Sequence, residues 1–450
     1  MMRYFNCLLY FFLLLFLTIL KNGKGIRKIE QYLIDKINKQ GIFHLNVSSI
    51  EYLFPTKFVL DILQVNKINS FSIELKEFTI KISSPFSLQF YTQQINIYNN
   101  GSPDISLQDC SCRISVIPSL VGIKVKIRNE IGIKKFIIET LIARNFIAKT
   151  VAININTGGI AIQQILSIFQ RLSFPKLKNI KISGRKTFQL QFVYASNKPM
   201  NYSFKYNETG VYEVISKNIH EFNYLQNNKA HTIIDNNNNL KTFLFNEMDE
   251  EFISIVDIPD IVLKTIITTE DPNFLFHNGF DIDCFGFALA TNIDTRRLAR
   301  GGSTITMQLI RNLYLDNSKT FSRKMEEIIL TWIIEDQLHV AKDKILELYF
   351  NRIEMGPALY GIKNAAMFYF NKRVEDLTLL DSLVLSYIIP RPKFFLPALI
   401  SQSQILKKNL KLHLKKYALI MSQRELITKD EYKKIQYTIQ FSKTLGKLEL

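Results

Sequence analysis

"GGSTITMQLIRNLYL", residues 301–315, decides how the rest of the chain is read. Two glycines and two hydroxyls run straight into a helical apolar pattern. Gly301 and Gly302 let a backbone approach a ligand closely, and Ser303 or Thr304 can cap the helix that follows. Thr304, Gln308 and Arg311 recur at i, i+4 and i+7 and share one helix face. Ile305, Leu309 and Leu313 take a neighbouring apolar face. The N–H groups and dipole of a helix N-terminus attract anions, so this turn and stripe suit a phosphate or pyrophosphate. The stretch is no P-loop, since it lacks the GxxxxGK[ST] spacing and follows no strand. By itself it reads better as a capped surface helix.

Its surroundings add chemistry. Upstream, "TEDPNFLFHNGFD" supplies Glu270, Asp271, Phe274, His277 and Gly279. Downstream, "SKTFSRKMEE" supplies Lys319, Arg323 and Glu327, the last two one helical turn apart. "KDKILELYFNRIEMG" and "GIKNAAMFYFNK" follow. Two carboxylates backed by several cations fit general-base chemistry on a substrate with an anionic leaving group. Each piece also has a plain structural reading. Glu270-Asp271 can begin a helix, Glu327 can pair with Arg323, and Glu347 with Asn351 can hold helices together. His277 has no second histidine at ligand spacing and reads as a hydrogen-bonding histidine.

Taken in order, the five motifs "TEDPNFLFHNGFD", "GGSTITMQLIRN", "RKMEE", "KILELYFN" and "GIKNAAMFYF" closely resemble the family 51 glycosyltransferases. These are the peptidoglycan polymerase domains of penicillin-binding proteins and of monofunctional biosynthetic transglycosylases. The resemblance implies an all-α, lysozyme-like domain over about residues 246–436. Its substrates would be lipid II and the growing lipid-linked glycan, with undecaprenyl pyrophosphate as the leaving group. It implies Glu270 as catalytic base and Glu327 as the second catalytic glutamate, acting directly or through a divalent cation, Mg2+ or Mn2+. It also implies a substrate site of Asp271, Phe274, His277, Gly302, Ser303, Thr304, Gln308, Arg311, Lys319 and Arg323. Two positions depart from the family: Arg311 stands where lysine is commonest, and Lys319 where many members have arginine. Both keep charge but change fork geometry and hydration.

No transpeptidase motif follows. An SxxK match, Ser183-Gly184-Arg185-Lys186, has no KTG partner. The chain is expected to polymerise glycan and leave cross-linking to a separate transpeptidase. Two other functions remain open on the sequence. A glycan-cleaving enzyme on a lysozyme-like scaffold would not need the cationic elements. A noncatalytic, lipid-binding envelope scaffold with a relic domain would be expected to lose a carboxylate or the glycine turn.

The 450 residues, 47% hydrophobic and 22% charged, describe ordered globular material in more than one domain. A net charge of +17 calls for an anionic partner. The lysines are scattered and no recognition helix or RNA-binding signature is present, which argues against nucleic acid. "YFNCLLYFFLLLFLTIL", Tyr4–Leu20, is an uncharged apolar run of 17 with no cleavage-site pattern after it, so a retained transmembrane anchor is expected. Arg3 precedes it while Lys21, Lys24, Arg27 and Lys28 follow, which by charge count opposes export. Function favours the other orientation: a single pass through a bacterial inner membrane, with the catalytic domain on the periplasmic or outer side. Cys7, Cys110, Cys112 and Cys284 form no disulfide framework or metal spacing and are expected as free thiols.

Between the anchor and the helical part, residues 28–245 read as a β-rich module. "FSIELKEFTIKI" (71–82) alternates, slips phase at Lys76-Glu77 and alternates again, as a strand with a bulge or tight connection does. One amphipathic helix is expected near "IAIQQILSIFQRL" (160–172). The run "RISVIPSLVGIKVKIRNEIGIKKFIIETLIARN" faintly resembles AsmA-like envelope proteins, whose strands form an open, lipid-facing sheet. A plain spacer that lifts the next domain off the membrane fits it equally. The expected architecture is thus an anchor (4–20), a β-rich module (28–245) and a helical glycosyltransferase domain (246–436).

Overall fold

The structure is a computed structural model. It describes residues 32, 34–36, 38, 39, 43–47, 50–53, 57–67, 71–84, 86–99, 102–132, 136–168, 177, 180–215, 231–234, 240–243, 249–297, 301–315, 321–435 and 438–450. The expected anchor at Tyr4–Leu20, Cys7 and Lys319 lie outside the described residues. Among the described residues, no single helix is long and apolar enough to cross a membrane. By internal packing the chain divides into two units. One runs to Ser216 and takes in Ile282–Arg300 and Lys319–Lys324; the other holds Lys217–Asp281, Gly301–Ser318 and Met325–Leu450.

The first unit is built on an open antiparallel sheet of 11 strands. They are β1 (Phe43–Val47), β2 (Ile50–Leu53), β3 (Lys57–Lys67), β4 (Phe71–Ser84), β5 (Ser87–Asn99), β6 (Ser102–Ser119), β7 (Gly122–Ile131), β8 (Phe136–Asn145), β9 (Thr150–Thr157), β10 (Ile182–Ala195) and β11 (Lys198–Val214). From β3 onward each strand pairs with the next in sequence, while β1 and β2 both pair with β3. Alternating side chains make this register. Leu88 faces Ile114 across β5–β6, and Ile114 faces Ile127 across β6–β7, so branched residues stack in one cross-strand row. Between β9 and β10 lies the short helix α1 (Ile162–Ile168). The sequence expected a helix over 160–172 there.

The phase slip in 71–82 has a local cause. β4 is one continuous strand of 14 residues, and Glu77 sits within it at φ 48°. Pairing with β5 is Lys76↔Gln94 before that point and Thr79↔Tyr91 after it, so the register is kept. A left-handed residue turns the side-chain phase without sliding the strand. Asp109 repeats the device on β6, also at φ 48°, with Thr92↔Cys110 and Gln94↔Gln108 on either side. The SxxK match lies on β10, where Lys186 pairs with Glu208 at 2.8 Å. Cys110, Cys112 and Cys284 are free thiols, as expected.

The helical part follows the small hairpin of β12 (His231–Ile234) and β13 (Leu240–Phe243). Its helices are α2 (Asp260–Glu270), α3 (Ile282–Thr295), α4 (Ile305–Tyr314), α5 (Phe321–Trp332), α6 (Lys342–Arg352), α7 (Ile362–Phe370), α8 (Leu379–Ile388), α9 (Pro392–Ile400), α10 (Gln404–Gln423) and α11 (Lys429–Lys433). Two short hairpins complete it: β14 (Glu354–Gly356) with β15 (Leu359–Tyr360), and β16 (Thr438–Gln440) with β17 (Lys447–Glu449). Helix α3 belongs to the first unit and packs on β11, with the Phe204 and Phe285 rings 5.8 Å apart.

Helix α8 is the centre of the second unit. All its residues from Asp381 to Ile388 are buried, and it packs between α2 and α10. A capping box of Thr378 and Asp381 starts it, and Lys372 holds the same aspartate at 2.6 Å. Helix α10 presents Leu406, Leu410, Leu414, Ala418 and Met421 to the interior at helical spacing. The start read in "ITKDEY" is also present: Thr428 and Glu431 form the capping box of α11. The chain does not stop contributing there. Phe441, 3% exposed, stacks on Phe370 at 5.7 Å, so the β16–β17 hairpin finishes the core.

Candidate active site

Helix α2 runs from a buried flank of Val262, Thr265 and Ile266 to Glu270 at its last position. Asp271 closes the helix with its N–H on the Ile267 carbonyl, and the backbone there leaves helical geometry. Glu270 is therefore half-buried at a helix end, while Asp271 points the other way into the protein at 1% exposure.

The Glu270 carboxylate is held from α4. Gln308 donates its amide Nε2 to Glu270 Oε2 at 3.0 Å. Tyr349, on α6, donates its hydroxyl to Gln308 Oε1 at 3.0 Å. Tyr349 is fully buried, and burial first, then the Glu270 charge, raises its pKa well above the ordinary value. A phenol that stays protonated can only donate toward the amide oxygen. The carboxylate can only accept, so the amide turns its nitrogen to Glu270 and its oxygen to the Tyr349 hydroxyl. The relay Tyr349–Gln308–Glu270 orients the carboxylate through two neutral groups.

The start of α4 differs from the sequence expectation. The sequence offered Ser303 or Thr304 as the cap, and Thr304 is the cap; the N–H groups of the first turn were read as a seat for an anion. In the structure the Ile305 N–H donates to Asp271 Oδ2 at 2.9 Å, and the Met307 N–H to the Thr304 hydroxyl at 3.3 Å. Thr304, 2% exposed, also donates to the Gly279 carbonyl at 2.8 Å. The hydroxyl cap is the one the sequence offered, while the Asp271 carboxylate occupies a donor that the sequence left available. A helix end buried beside α2 needs its first-turn N–H groups satisfied internally. Gly302 and Ser303 are half-buried in front of this cap. A Cβ at Gly301 would meet nothing within 4 Å, so the fold itself does not require glycine there.

His277 completes the clamp. Its Nε2 lies 3.0 and 3.1 Å from the two Asp271 oxygens, and its Nδ1 is buried with no hydrogen-bond partner among the described residues. Phe274 meets His277 edge-on and is fully buried beneath Lys342, whose Nζ is 4.3 Å from the ring centroid. Lys342 and Thr306 both bond Glu335. Gly279 must be glycine, because it has φ +89° and a Cβ there would press on Thr331 at 2.8 Å. Asp271, His277 and Asp281 each bring a ligand atom within 4.8 Å of the others. Yet Asp271 spends its oxygens on His277 and Ile305, and Asp281 accepts from Asn273 at 3.0 Å. This trio fastens the loop to α4.

Arg311 is half-buried on α4, and its side chain makes no hydrogen bond or ion pair among the described residues. It lies close enough to act electrostatically on Tyr349 and on Glu354. Glu354 on β14 has a buried Oε1 with no hydrogen-bond partner among the described residues. Burial raises its pKa, and Lys393, Arg352 and Arg311 pull it partly back. On α5, Glu327 is fully buried and Arg323, one turn earlier, is half-buried. Glu347 and Asn351 do hold structure together. Asn351 brackets the Ile253 backbone at 2.8 and 2.7 Å, and Glu347 accepts from the Ile255 N–H at 3.2 Å.

Two residues of this cluster escaped the sequence reading. Tyr349 sits in an apolar helical run, "LELYFN", where a core tyrosine looks the same as a relay tyrosine. Glu354 follows α6 in what reads as loop, and nothing local marks it as facing Arg311.

Comparison with known proteins places the same stretch. Residues 236–418 match the family described as Transglycosylase. The chain is 40% identical over 154 residues to penicillin-binding protein 1A of Neisseria gonorrhoeae, covering 34% of this chain and 19% of that one. It is 41% identical over 154 residues to the protein of the same name from Neisseria lactamica, again 34% of this chain and 19% of that one. To the biosynthetic peptidoglycan transglycosylase of Acinetobacter baumannii it is 38% identical over 145 residues, covering 32% of this chain and 64% of that one. The chain spans about a fifth of the length of the penicillin-binding proteins it matches.

Proposed function

We propose, from a chain whose residues 236–418 match the Transglycosylase family, that it polymerises lipid II into glycan strands. The carrying observation is the half-buried Glu270 carboxylate, held by the Gln308 amide at 3.0 Å inside that domain. The acceptor sugar's 4-hydroxyl gives its proton to Glu270 as its oxygen attacks the anomeric carbon of the growing chain. The new C1–O4 bond forms with inversion as the C1–O bond to pyrophosphate breaks. Undecaprenyl pyrophosphate leaves with the electron pair. Arg311, Arg323 and Lys319 would meet that anion, with Gly302, Ser303 and Thr304 shaping its approach. Asp271, Phe274 and His277 set the wall that positions Glu270.

Glu327 would serve the donor side. A divalent cation would add Lewis-acid stabilisation of the leaving pyrophosphate. Glu327, a fully buried carboxylate, would be the protein's ligand to such a cation, with substrate phosphates supplying the others. The helical unit, with its buried central α8, suits a lysozyme-like fold. A single-pass anchor at Tyr4–Leu20 would hold the domain against the outer face of the inner membrane, beside its lipid substrate. Cross-linking would fall to a separate transpeptidase.

The test is a gel of products formed from purified lipid II by the full chain and by Glu270→Gln. The intact chain should give a ladder of glycan strands. Loss of the base should remove it by roughly a hundredfold or more. A ladder from Glu270→Gln at the wild-type rate would defeat the assignment.

A further inference from the structure

One end of the β unit carries a surface that glycan polymerisation does not use. In the meander, the β4–β5, β6–β7, β8–β9 and β10–β11 turns all fall at the same end of the sheet. Apolar side chains stand at three of them. Phe86 is 60% exposed, Leu120 is 106%, Val121 46%, Phe146 55% and Ile147 76%. Leaving such side chains in water is unfavourable, and an exposed apolar patch of this kind marks a surface that meets something.

These tips are stitched together. The Phe146 N–H donates to the Val121 carbonyl at 2.9 Å, joining the β6–β7 and β8–β9 turns. The Ser196 N–H donates to the Lys149 carbonyl at 2.7 Å, joining β8–β9 to β10–β11. Asn145 accepts from the Ile147 and Ala148 N–H groups at 3.0 and 2.9 Å and fixes the turn that presents Phe146 and Ile147. Gly122 is needed because a Cβ there would collide with the Arg144 carbonyl. The fold thus holds apolar side chains outward on a braced edge.

The charge around them has one sign. Lys81, Lys124, Arg144, Lys149 and Lys198 are all exposed beside the tips. No aspartate or glutamate occurs in 79–91, 111–126, 141–152 or 193–202. Arg144 lies over the Phe146 ring at 5.4 Å, so a cation sits directly behind an apolar tip.

We propose that this edge docks on an anionic phospholipid bilayer. The tips of β6–β7 and β8–β9 enter the headgroup–acyl boundary while the flanking cations meet lipid phosphates. Apolar insertion combined with a cationic collar is the chemistry of an interfacial lipid site, and the charge part is screened by salt.

The experiment uses the full chain with Ile147→Trp, reconstituted in vesicles of equal parts phosphatidylcholine and phosphatidylglycerol. The chain has one native tryptophan, Trp332, which is 9% exposed, and the parent protein supplies its background. Emission from the new indole should shift to the blue and be quenched by phospholipids brominated on the acyl chain. Gln108→Trp, at the opposite end, should remain water-like and unquenched. Adding Lys124→Glu, Lys149→Glu and Lys198→Glu to Ile147→Trp should abolish the quenching. An unquenched, water-like indole at position 147 would overturn the proposal. So would a blue shift without lipid quenching, which would mean that another protein copy covers the tips. Equal quenching in phosphatidylcholine alone would overturn the requirement for anionic lipid.

Discussion

Gln308 gives one amide hydrogen bond to Glu270 and accepts one from Tyr349, each at 3.0 Å. The carboxylate is therefore aimed by a neutral side chain that is itself aimed by a neutral phenol. Gln308→Leu removes a hydrogen bond to a charged group, worth about 1.5–3 kcal/mol, or roughly ten- to a hundredfold in rate. The loss should appear in turnover, with an unchanged circular dichroism spectrum. Tyr349→Phe leaves the amide in place but frees it to rotate, so its loss should be in the same direction and smaller. Initial rates of polymerisation from lipid II check both. An unaffected Gln308→Leu would show that Glu270 needs no such positioning.

Glu327 is fully buried on α5, beside Glu326 at 2% exposure. A carboxylate that far from water is retained at a cost. Glu327→Gln keeps size and hydrogen bonding and removes the charge, so most of the polymerisation rate should go, by about tenfold or more. The residual rate should respond differently from wild type to added Mg2+. The same dependence in both proteins would rule out a cation held by Glu327.

Much of this domain could be read from residue order, because its evidence is local. The cap at Thr428–Glu431, the one-face spacing of Gln308 and Arg311, and the helical run of α10 all lie within a few turns of chain. The contacts that were hidden join distant segments. Asp271 reaches across 34 positions to cap α4, and Tyr349 reaches across 41 to orient Gln308. No periodicity encodes those meetings. The strand slip at Glu77 was visible as lost alternation, but only its φ of 48° shows that phase turned while register stayed.

His413 packs against the rings of Tyr387 and Tyr417 and lies 2.9 Å from the Ser386 hydroxyl. Burial, then Arg391 and Lys416, pushes its pKa from 6.5 down to about 3. The folded protein thus keeps His413 neutral where the unfolded chain binds a proton. Stability from this site is present above pH 6.5 and is lost as pH falls toward 3. A single such group changes stability by about 1.4 kcal/mol per pH unit within that window. His413→Asn should therefore lose less Tm than wild type between pH 6 and 4, about the range that this histidine governs. Parallel Tm curves would place the acid sensitivity elsewhere.

Arg311 is the member of the opening stripe whose side chain no hydrogen bond or ion pair engages among the described residues. Thr304 is committed to the Gly279 carbonyl and the Met307 N–H, and Gln308 to Glu270 and Tyr349. With Ile305 taken by Asp271, the cation, more than the helix end, is left to meet a pyrophosphate. Arg311→Ala should then weaken donor use by about 1.5–3 kcal/mol, roughly ten- to a hundredfold in rate. Arg311→Lys should cost much less, because an ammonium still meets a phosphate although it loses the planar fork. Binding of a phosphoglycolipid that mimics the donor should fall in parallel with the rate. Normal polymerisation and normal inhibitor binding by Arg311→Ala would reduce α4 to a capped helix that only positions Glu270.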